Sequence, residues 1–384
     1  MSRDNQLTLG VMPLTDAAPL IIGKEKGFFE AENLEVTLER EASWATIRDK
    51  VMFHAFDGAQ MLAPMPLAMS FGVGHKPRAT LAPIVLSLNG NGITVSTSLL
   101  TDIRKIAPES LASRPIKADG LARVIADRQA KGERRLVFGV VYPYSTHYAQ
   151  LRAWLAEAGL SPDDDLEIVV VPPAQMADEL DAGRLDGYCV GEPWNQLAVR
   201  RGVGHLLITS QEFWTNRAEK VLGVHQSFAE ERPDRLQALL RALIRAGKWL
   251  DRSDNRLEAA RLLVEGGWVD DAPIDVVGLS LMGVIAHDLE EPPRNIPDMH
   301  IFYADGANRP SLQDAEIYTR AMVKAGQLSR PPGPDDLAAV YRADLYDEAA
   351  EALGEALPSR GDAAVLSSEA SASTSGVAEK SERC

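Results

Sequence analysis

The stretch Leu136–Gly159, LVFGVVYPYSTHYAQLRAWLAEAG, contains one complete strand–helix unit. Its opening run is rich in Val and aromatic residues, which predicts a buried strand ending near Tyr142. Ser145 is a favoured helix N-cap residue, and the helix that it begins is predicted to run to Ala158, where Gly159 closes it. A strand that passes directly into a helix is the repeating unit of α/β proteins.

The same alternation of strands and helices extends on both sides of this unit. The other predicted strands are Leu7–Met12, Leu34–Leu38, Gly58–Leu62, Leu81–Leu88, Ile93–Thr97, Leu166–Val171, Asp186–Val190 and His205–Thr209. From Pro233 to about Leu353 helical patterns dominate. The alternation predicts an α/β fold with a mostly parallel sheet and helices on both of its faces. Two such units with a ligand between them would be the natural arrangement.

Composition and charge narrow the possible functions. The chain has 384 residues, with 40 Lys and Arg against 55 Asp and Glu, so its formal charge is 40 − 55 = −15. A strongly negative chain repels phosphate backbones, which argues against direct nucleic-acid binding through a large basic surface. The two cysteines, Cys189 and Cys384, cannot form a disulfide framework, and their spacing fits no metal site.

The N-terminal sequence lacks the pattern of an export signal. Met1–Asn5 leads straight into the strand Leu7–Met12, without a basic region, an apolar run and a cleavage site. No stretch approaches the length of a membrane-spanning helix. We therefore expect a cytoplasmic protein that does not contact a membrane, unless a signal has been removed.

Enzyme motifs are absent from the sequence. It contains no glycine-rich nucleotide-binding motif, no nucleophile elbow and no zinc-protease motif. The seven His residues are scattered, and none pairs with another at metal-ligand spacing. We expect no catalytic residue, cofactor or metal, and interpret the chemistry as recognition.

Two polar segments of the N-terminal part could bind a ligand. Trp44 follows the cap residue Ser43 at a predicted helix start, where free backbone N–H groups and the helix dipole favour a small anion. An ordinary core Trp is the simpler interpretation. Asn89–Gly92, with the sequence NGNG, places amide side chains at a strand end, although Asn-Gly is also a common hairpin turn.

Two further segments follow later in the chain. His147 lies in the first turn of the helix capped by Ser145, where the dipole lowers its pKa and favours a neutral imidazole. Glu192 and Trp194 follow a predicted strand at a sharp turn. The simpler interpretation of His147 is a partly buried residue that only packs. Lys220, further along the chain, could also contribute a positive charge, although a lone Lys is more often a surface residue.

Taken in order, these segments resemble a known family. The matching segments are Thr15–Leu20, Lys26–Phe29, Ala42–Trp44 with Arg48 and Asp49, Asp57–Gln60, Pro64–Pro66, Asn89–Ile93, Ser145–His147 with Arg152, and Cys189–Trp194. Together they resemble the nitrate/bicarbonate-binding branch of ABC-transporter solute-binding proteins, over about residues 7–330.

The resemblance implies an α/β fold of the periplasmic-binding-protein-like type II class, with two lobes and the ligand in the cleft between them. It implies that Trp44, Asn91, His147 and Lys220 bind the ligand. Neighbouring residues form a second set of candidates: Ser43, Ala45, Thr46, Gly92, Glu192, Pro193 and Trp194. Lys220 matches the nitrate binders, whereas the bicarbonate branch has a carboxylate there. Family members usually have Gln at the position of Asn91, so the nitrate or nitrite preference stays open.

Because no export signal is visible, the chain is most similar to the cytoplasmic sensors of nitrate/nitrite-responsive antitermination pairs (NasS type). That resemblance implies a response-regulator-like RNA-binding antiterminator as partner, released when the anion binds. An exported nitrate-binding subunit of an ABC transporter is the alternative. A thiamine-pathway enzyme of similar fold is disfavoured, because its Cys-rich stretch is missing.

The positions of the candidate ligand residues also predict how the chain is divided between the two lobes. Residues 5–98 with 220–350 are expected to form lobe one, carrying Trp44 and Asn91, and residues 99–219 lobe two, carrying His147. The stretch 359–384 is rich in Ser, Ala and Glu and lacks aromatic residues, which predicts a disordered tail.

Overall fold

The computed structural model of the chain describes residues 5–112, 114–269 and 271–357. The predicted tail, residues 359–384, lies outside the described residues. Strands β1–β13 are, in chain order, Gln6–Val11, Glu35–Arg40, Gly58–Leu62, Thr80–Asn89, Asn91–Ser96, Leu136–Val140, Leu166–Val170, Gly187–Gly191, Gly204–Thr209, Ala218–His225, Val284–Ile285, Arg294–Asn295 and His300–Ile301.

Helices cover both faces of the sheets that these strands form. Helices α1–α17 are Ala18–Glu25, Phe28–Ala31, Trp44–Met52, Pro64–Phe71, Thr97–Ile106, Asp119–Ala130, Thr146–Glu157, Met176–Asp181, Trp194–Arg200, Ser210–Phe213, Gln226–Glu231, Pro233–Leu250, Ser253–Glu265, Ile274–Met282, Leu312–Lys324, Pro334–Val340 and Ala343–Ala352. Short 3₁₀ turns, such as Thr15–Ala17 before α1, connect some of them.

Two separate sheets define two lobes. The first sheet has the order β13-β4-β10-β3-β1-β2, and the second has the order β7-β6-β8-β5-β9. Strands β1, β2 and β3 run parallel to one another, as do β6, β7 and β8. One strand in each sheet follows a passage of the chain from the other sheet: β10 in the first sheet and β5 in the second. Each of these strands runs antiparallel to both of its neighbours. The α/β class is confirmed, but the sheets are mixed rather than mostly parallel.

The boundary between the lobes falls earlier than predicted. Strand β5 (Asn91–Ser96) pairs with β8 and β9 in the second sheet, so the predicted assignment of residues 91–98 to lobe one is wrong. Strand β10, which the sequence patterns did not indicate, lies in the middle of the first sheet. Below, the first lobe means residues 6–89 and 218–357, and the second lobe means residues 91–209.

The chain crosses between the lobes at two neighbouring points. Asn89 and Asn216, one in each crossover, join them: Asn89 Nδ2 donates to Asn216 Oδ1 at 3.2 Å, and the Asn216 backbone N–H donates to Asn89 Oδ1 at 2.9 Å. The hairpin interpretation of Asn89–Gly90 is therefore wrong, because β4 and β5 belong to different sheets. Paired crossovers of this kind form a hinge.

Gly90 → Ala is expected to destabilise this hinge. Gly90 has φ = 94°, and a Cβ there would lie 2.5 Å from His300 Cε1. Backbone strain and overpacking together should lower the free energy of unfolding by about 2–4 kcal/mol, measured by urea denaturation. Gly132 → Ala is the control, since Gly132 also has a positive φ but nothing within 4 Å. Equal losses in the two variants would show that His300 moves aside at no cost.

Candidate functional site

A cluster of polar side chains is enclosed between the two lobes. Asp16, Trp44, Glu219 and Lys220 come from the first lobe, whereas Asn91 and His147 come from the second. All six are at most 1% exposed to solvent. Buried polar groups of this kind must be paired or bind a ligand, because burial without a partner is costly.

Lys220 reaches the cluster through an irregularity in β10. The pairing with β4 shifts between Ala218 and Lys220, so that Glu219 is an extra residue in the ladder. Such a bulge lets two consecutive side chains point toward the same site. The Lys220 ammonium lies 2.8 Å from both Asp16 Oδ2 and Glu219 Oε1. Lys220 is therefore a buried charge, and the surface interpretation of this residue is wrong.

The charges around Lys220 set its protonation state. Burial by itself lowers the pKa of Lys220, but the carboxylates of Asp16 and Glu219 outweigh that effect and raise it. Burial also raises the pKa of Glu219, to about 7, although Lys220 acts in the opposite direction. Lys220 thus remains a cation, and Glu219 titrates near neutral pH.

Trp44 lies at the first position of α3. The Ser43 hydroxyl oxygen accepts the Thr46 backbone N–H at 3.1 Å, which confirms the predicted cap. The Trp44 ring centroid is 5.7 Å from Lys220 Nζ, a cation–π distance. Its indole N–H is buried and has no hydrogen-bond partner among the described residues. Trp44 therefore provides a flat wall and a free donor.

His147 faces the cluster from the first turn of α7. The Ser145 hydroxyl caps this helix by accepting the Tyr148 backbone N–H at 3.0 Å. Burial, and then the charge of Lys220, lower the pKa of His147 well below its usual range. The imidazole is therefore neutral, as predicted, but the main cause is burial rather than the helix dipole. Neither ring nitrogen is hydrogen-bonded within the described part of the chain.

Asn91 joins the second lobe to the carboxylate of the first. Its amide nitrogen donates to Glu219 Oε2 at 2.6 Å and to Gln150 Oε1 at 3.0 Å. Its carbonyl oxygen is buried without a partner among the residues described. Asn91 thus lies in the predicted cluster, although it belongs to the second lobe and not to the first.

Asp16 and Glu219 of the cluster were not predicted as site residues, and neither was Gln60, which holds Asp16. Asp16 accepts the Gln60 amide at 2.7 Å, and Gln60 Oε1 in turn accepts the Met12 backbone N–H at 2.8 Å. Asp16 and Gln60 lie in segments that match the family, but the resemblance did not identify either residue as part of the ligand site. On a chain with 55 acidic residues, nothing local marks Asp16 or Glu219 as buried.

The second set of predicted residues mostly has other contacts. The Trp194 indole N–H donates to the Pro13 carbonyl at 2.9 Å, across the lobes. The Glu192 carboxylate accepts the Gln196 backbone N–H at 3.2 Å, and burial raises its pKa to about 8. Pro193 and Gly92 are buried in the second lobe, whereas Ser43, Ala45 and Thr46 are half-buried beside Trp44. Their ligand roles stay predictions.

Several hydrogen bonds hold the lobes together in a closed arrangement. Arg48 of the first lobe donates to the Tyr142 hydroxyl of the second at 2.9 Å. The Gln327 amide donates to the Pro143 carbonyl at 3.0 Å. These contacts would be lost if the lobes separated, so they stabilise the closed form.

Tyr142 → Phe should therefore weaken ligand binding without disturbing the site. The change removes the acceptor of the Arg48 bond and keeps the ring, which packs edge-on against Tyr144. We expect a loss of about 0.5–1.5 kcal/mol in binding free energy, measured by calorimetry. Tyr148 → Phe is the control, because Tyr148 accepts from Arg152 within one lobe. Similar losses in both variants would contradict the role of closure.

The arrangement suits a small anion. The indole and imidazole supply neutral donors, Lys220 supplies positive charge, and the Trp44 ring supplies a flat surface.

Among the described residues, no group of three or more His, Cys, Asp or Glu could hold a metal ion. The described helices include none that is long and apolar enough to cross a bilayer.

Two lobes joined by a double crossover, with an enclosed polar site between them, define a ligand-binding protein of the periplasmic-binding-protein fold. The model of the NMT1-like family matches residues 2–264, and the chain belongs to that family.

The named relatives belong to the nitrate/bicarbonate-binding branch that the sequence motifs indicated. The chain is 32% identical over 354 residues to the nitrate/nitrite binding protein NrtA of Nostoc, covering 91% of this chain and 77% of that one. It is 34% identical over 351 residues to the bicarbonate transport ATP-binding protein CmpC of Synechococcus elongatus, covering 91% of this chain. The chain spans about half the length of the ATP-binding transport proteins it matches.

The solved structures agree with the fold. The crystal structure of the periplasmic nitrate-binding protein NrtA from Synechocystis has a TM-score of 0.81 and 29% sequence identity, covering 91% of this chain and 89% of that one. The predicted resemblance to the nitrate/bicarbonate-binding branch is thereby confirmed, as is the two-lobed fold.

Proposed function

We propose that this protein binds nitrate or nitrite between its lobes. The observation that carries the proposal is the convergence of unpartnered donors on Trp44 and His147 beside the Lys220 ammonium. Nitrate is a planar anion whose oxygens only accept hydrogen bonds, so N–H donors and a flat ring match it. The similarity to NrtA, named as a nitrate/nitrite binding protein, supports the same ligand.

Bicarbonate is the competing anion, because CmpC is named as a bicarbonate transport protein. Bicarbonate has a hydroxyl that must donate to an acceptor, whereas nitrate has none. Both oxygens of Glu219 already accept from Lys220 and Asn91. The Asn91 carbonyl oxygen could still accept from a bicarbonate hydroxyl, so the choice of nitrate and nitrite rests on the match of Lys220 to the nitrate binders and on the similarity to NrtA.

Isothermal calorimetry with nitrate, nitrite, bicarbonate and chloride tests the ligand class. We expect one nitrate or nitrite per chain, and at least tenfold weaker binding of bicarbonate and chloride. Preferential binding of bicarbonate, or no binding of any of the four anions, would contradict the proposed ligand.

Beyond the ligand, we propose that the protein is a cytoplasmic sensor rather than a transport component. In this role it holds a response-regulator-like RNA-binding antiterminator while empty and releases it when the anion closes the lobes. The motif resemblance to the nitrate/bicarbonate-binding branch, to which such sensors belong, is compatible with this role. The charge of −15 is compatible with it, since the partner and not this chain would contact RNA.

The alternative is an exported nitrate-binding subunit of an ABC transporter. The names of the transport relatives favour it, and the binding site would be the same. The two roles differ in what the closed form does: it dissociates a protein complex in the first and delivers the anion to a membrane complex in the second.

A further inference from the structure

The buried cluster carries more negative than positive charge before any anion enters. Asp16 and Glu219 are carboxyl groups and Lys220 is an ammonium, and all three are enclosed. With both carboxyls ionised their sum is −1, and a bound monoanion would make it −2. Unbalanced charge in an enclosed site is costly, and such a site commonly takes up a proton instead.

Asp16, like Glu219, is held by one side-chain amide and by Lys220. Its Oδ1 accepts the Gln60 amide at 2.7 Å, and its Oδ2 forms an ion pair with the Lys220 ammonium at 2.8 Å. It also lies at the N-terminal end of α1, where the helix dipole favours a negative charge. Burial raises the pKa of Asp16 as well, so the choice between the two carboxyl groups rests on the α1 dipole, which favours the ionised form of Asp16.

Glu219 is surrounded differently. From its own strand it faces Lys220, and from the first lobe it faces Asp16. From α7 it faces His147, with 3.7 Å between His147 Nε2 and Glu219 Oε1, and from β8 the thiol of Cys189. His300 adds no charge, because burial lowers its pKa to about 3.

We propose that Glu219 takes up a proton when the anion binds, so that the site captures nitrate together with H⁺. The inference rests on the proposed function. The proton neutralises the Glu219 carboxylate, so that the occupied site carries a charge of −1 instead of −2. It also turns one Glu219 oxygen into a hydroxyl that can donate a hydrogen bond to an oxygen of the anion. Nitrate is the anion of a strong acid and does not take the proton itself.

The expected pH dependence follows from the charge of Glu219. Burial raises the pKa of Glu219 to about 7 in the absence of ligand, and an adjacent anion raises it further. Below that pKa the proton is already present, so affinity should not change with pH. Above it each binding event must take up a proton, and affinity should fall by up to about tenfold per pH unit.

Calorimetry at pH 8 in tris acetate and in phosphate measures this uptake, because the two buffers differ in ionisation enthalpy. Wild-type protein should show a buffer-dependent heat corresponding to about one proton per nitrate. Glu219 → Gln, which mimics the neutral acid, should bind nitrate with neither buffer-dependent heat nor pH-dependent affinity between pH 6 and 8.5.

Two other variants locate the proton. His147 → Gln should keep the buffer-dependent heat of whatever nitrate it binds, whereas Asp16 → Asn, which itself removes one negative charge from the site, should reduce that heat. Wild-type binding without proton uptake would overturn the inference, and so would uptake that persists in Glu219 → Gln and disappears in His147 → Gln. A wild type that binds no nitrate at any pH would instead refute the proposed ligand.

Discussion

Lys220 → Ala is expected to weaken nitrate binding by about 2–4 kcal/mol, which is about 30- to 1000-fold in Kd. The ammonium supplies the positive charge of an enclosed site and is the partner of both Asp16 and Glu219. Without it, the anion would enter beside two carboxyl groups with no opposing charge. The measurement is calorimetry with nitrate at pH 6.5, below the value of about 7 to which burial raises the pKa of Glu219.

Loss of Lys220 also leaves buried carboxyl groups unpaired, which lowers stability. Circular dichroism and thermal unfolding should therefore accompany the titration, and Lys220 → Met offers a variant that fills the same space. Lys26 → Ala is the matched control, since Lys26 forms a partly exposed ion pair with Glu258 outside the site. A folded Lys220 → Ala protein with wild-type affinity would exclude the role given to this residue.

In the proposed sensor role, Trp44 → Ala and His147 → Ala are expected to uncouple release of the partner from anion binding. Each removes an unpartnered donor from one lobe, so the anion can no longer draw the two lobes together. A ligand shifts an equilibrium only through its different affinity for the two states, and by linkage the partner must weaken nitrate binding by the same factor. For a useful switch we expect about 1–3 kcal/mol of coupling or more.

The two variants should keep the antiterminator bound whether or not nitrate is present, as seen in pull-down experiments. Trp249 → Ala is the control for the tryptophan change, because Trp249 lies on α12 next to Lys26 rather than in the cleft. Nitrate-dependent release from Trp44 → Ala, with the same midpoint as wild type, would show that the signal does not depend on this site.

Local sequence signals were sufficient where the structure is locally determined. Ser43 and Ser145 cap the predicted helices, and strand Gly58–Leu62 has its predicted bounds. Strand Ala218–His225 was missed because Glu219 and Lys220 lie inside it, and only the cleft makes their burial favourable. The lobe boundary was misplaced because Asn89–Gly90 reads locally as a turn, whereas the structure uses it as a crossover.

In the candidate site, too, the sequence predicted some residues and missed others. Trp44, Asn91, His147 and Lys220 were found through motifs, and the structure brings all four together. Their partners Asp16, Gln60 and Glu219 were not found, since a carboxylate that pairs with a buried lysine looks locally like any other. Which of many acidic residues becomes buried depends on contacts distant in sequence.

The most direct test of the proposed function is gel filtration of the chain mixed with its antiterminator partner, with and without millimolar nitrate. We predict a complex in the absence of nitrate that separates into its two components when nitrate is added, with chloride as the control anion. A complex that stays intact in nitrate, while the chain itself binds the anion, would contradict the sensor role and favour transport.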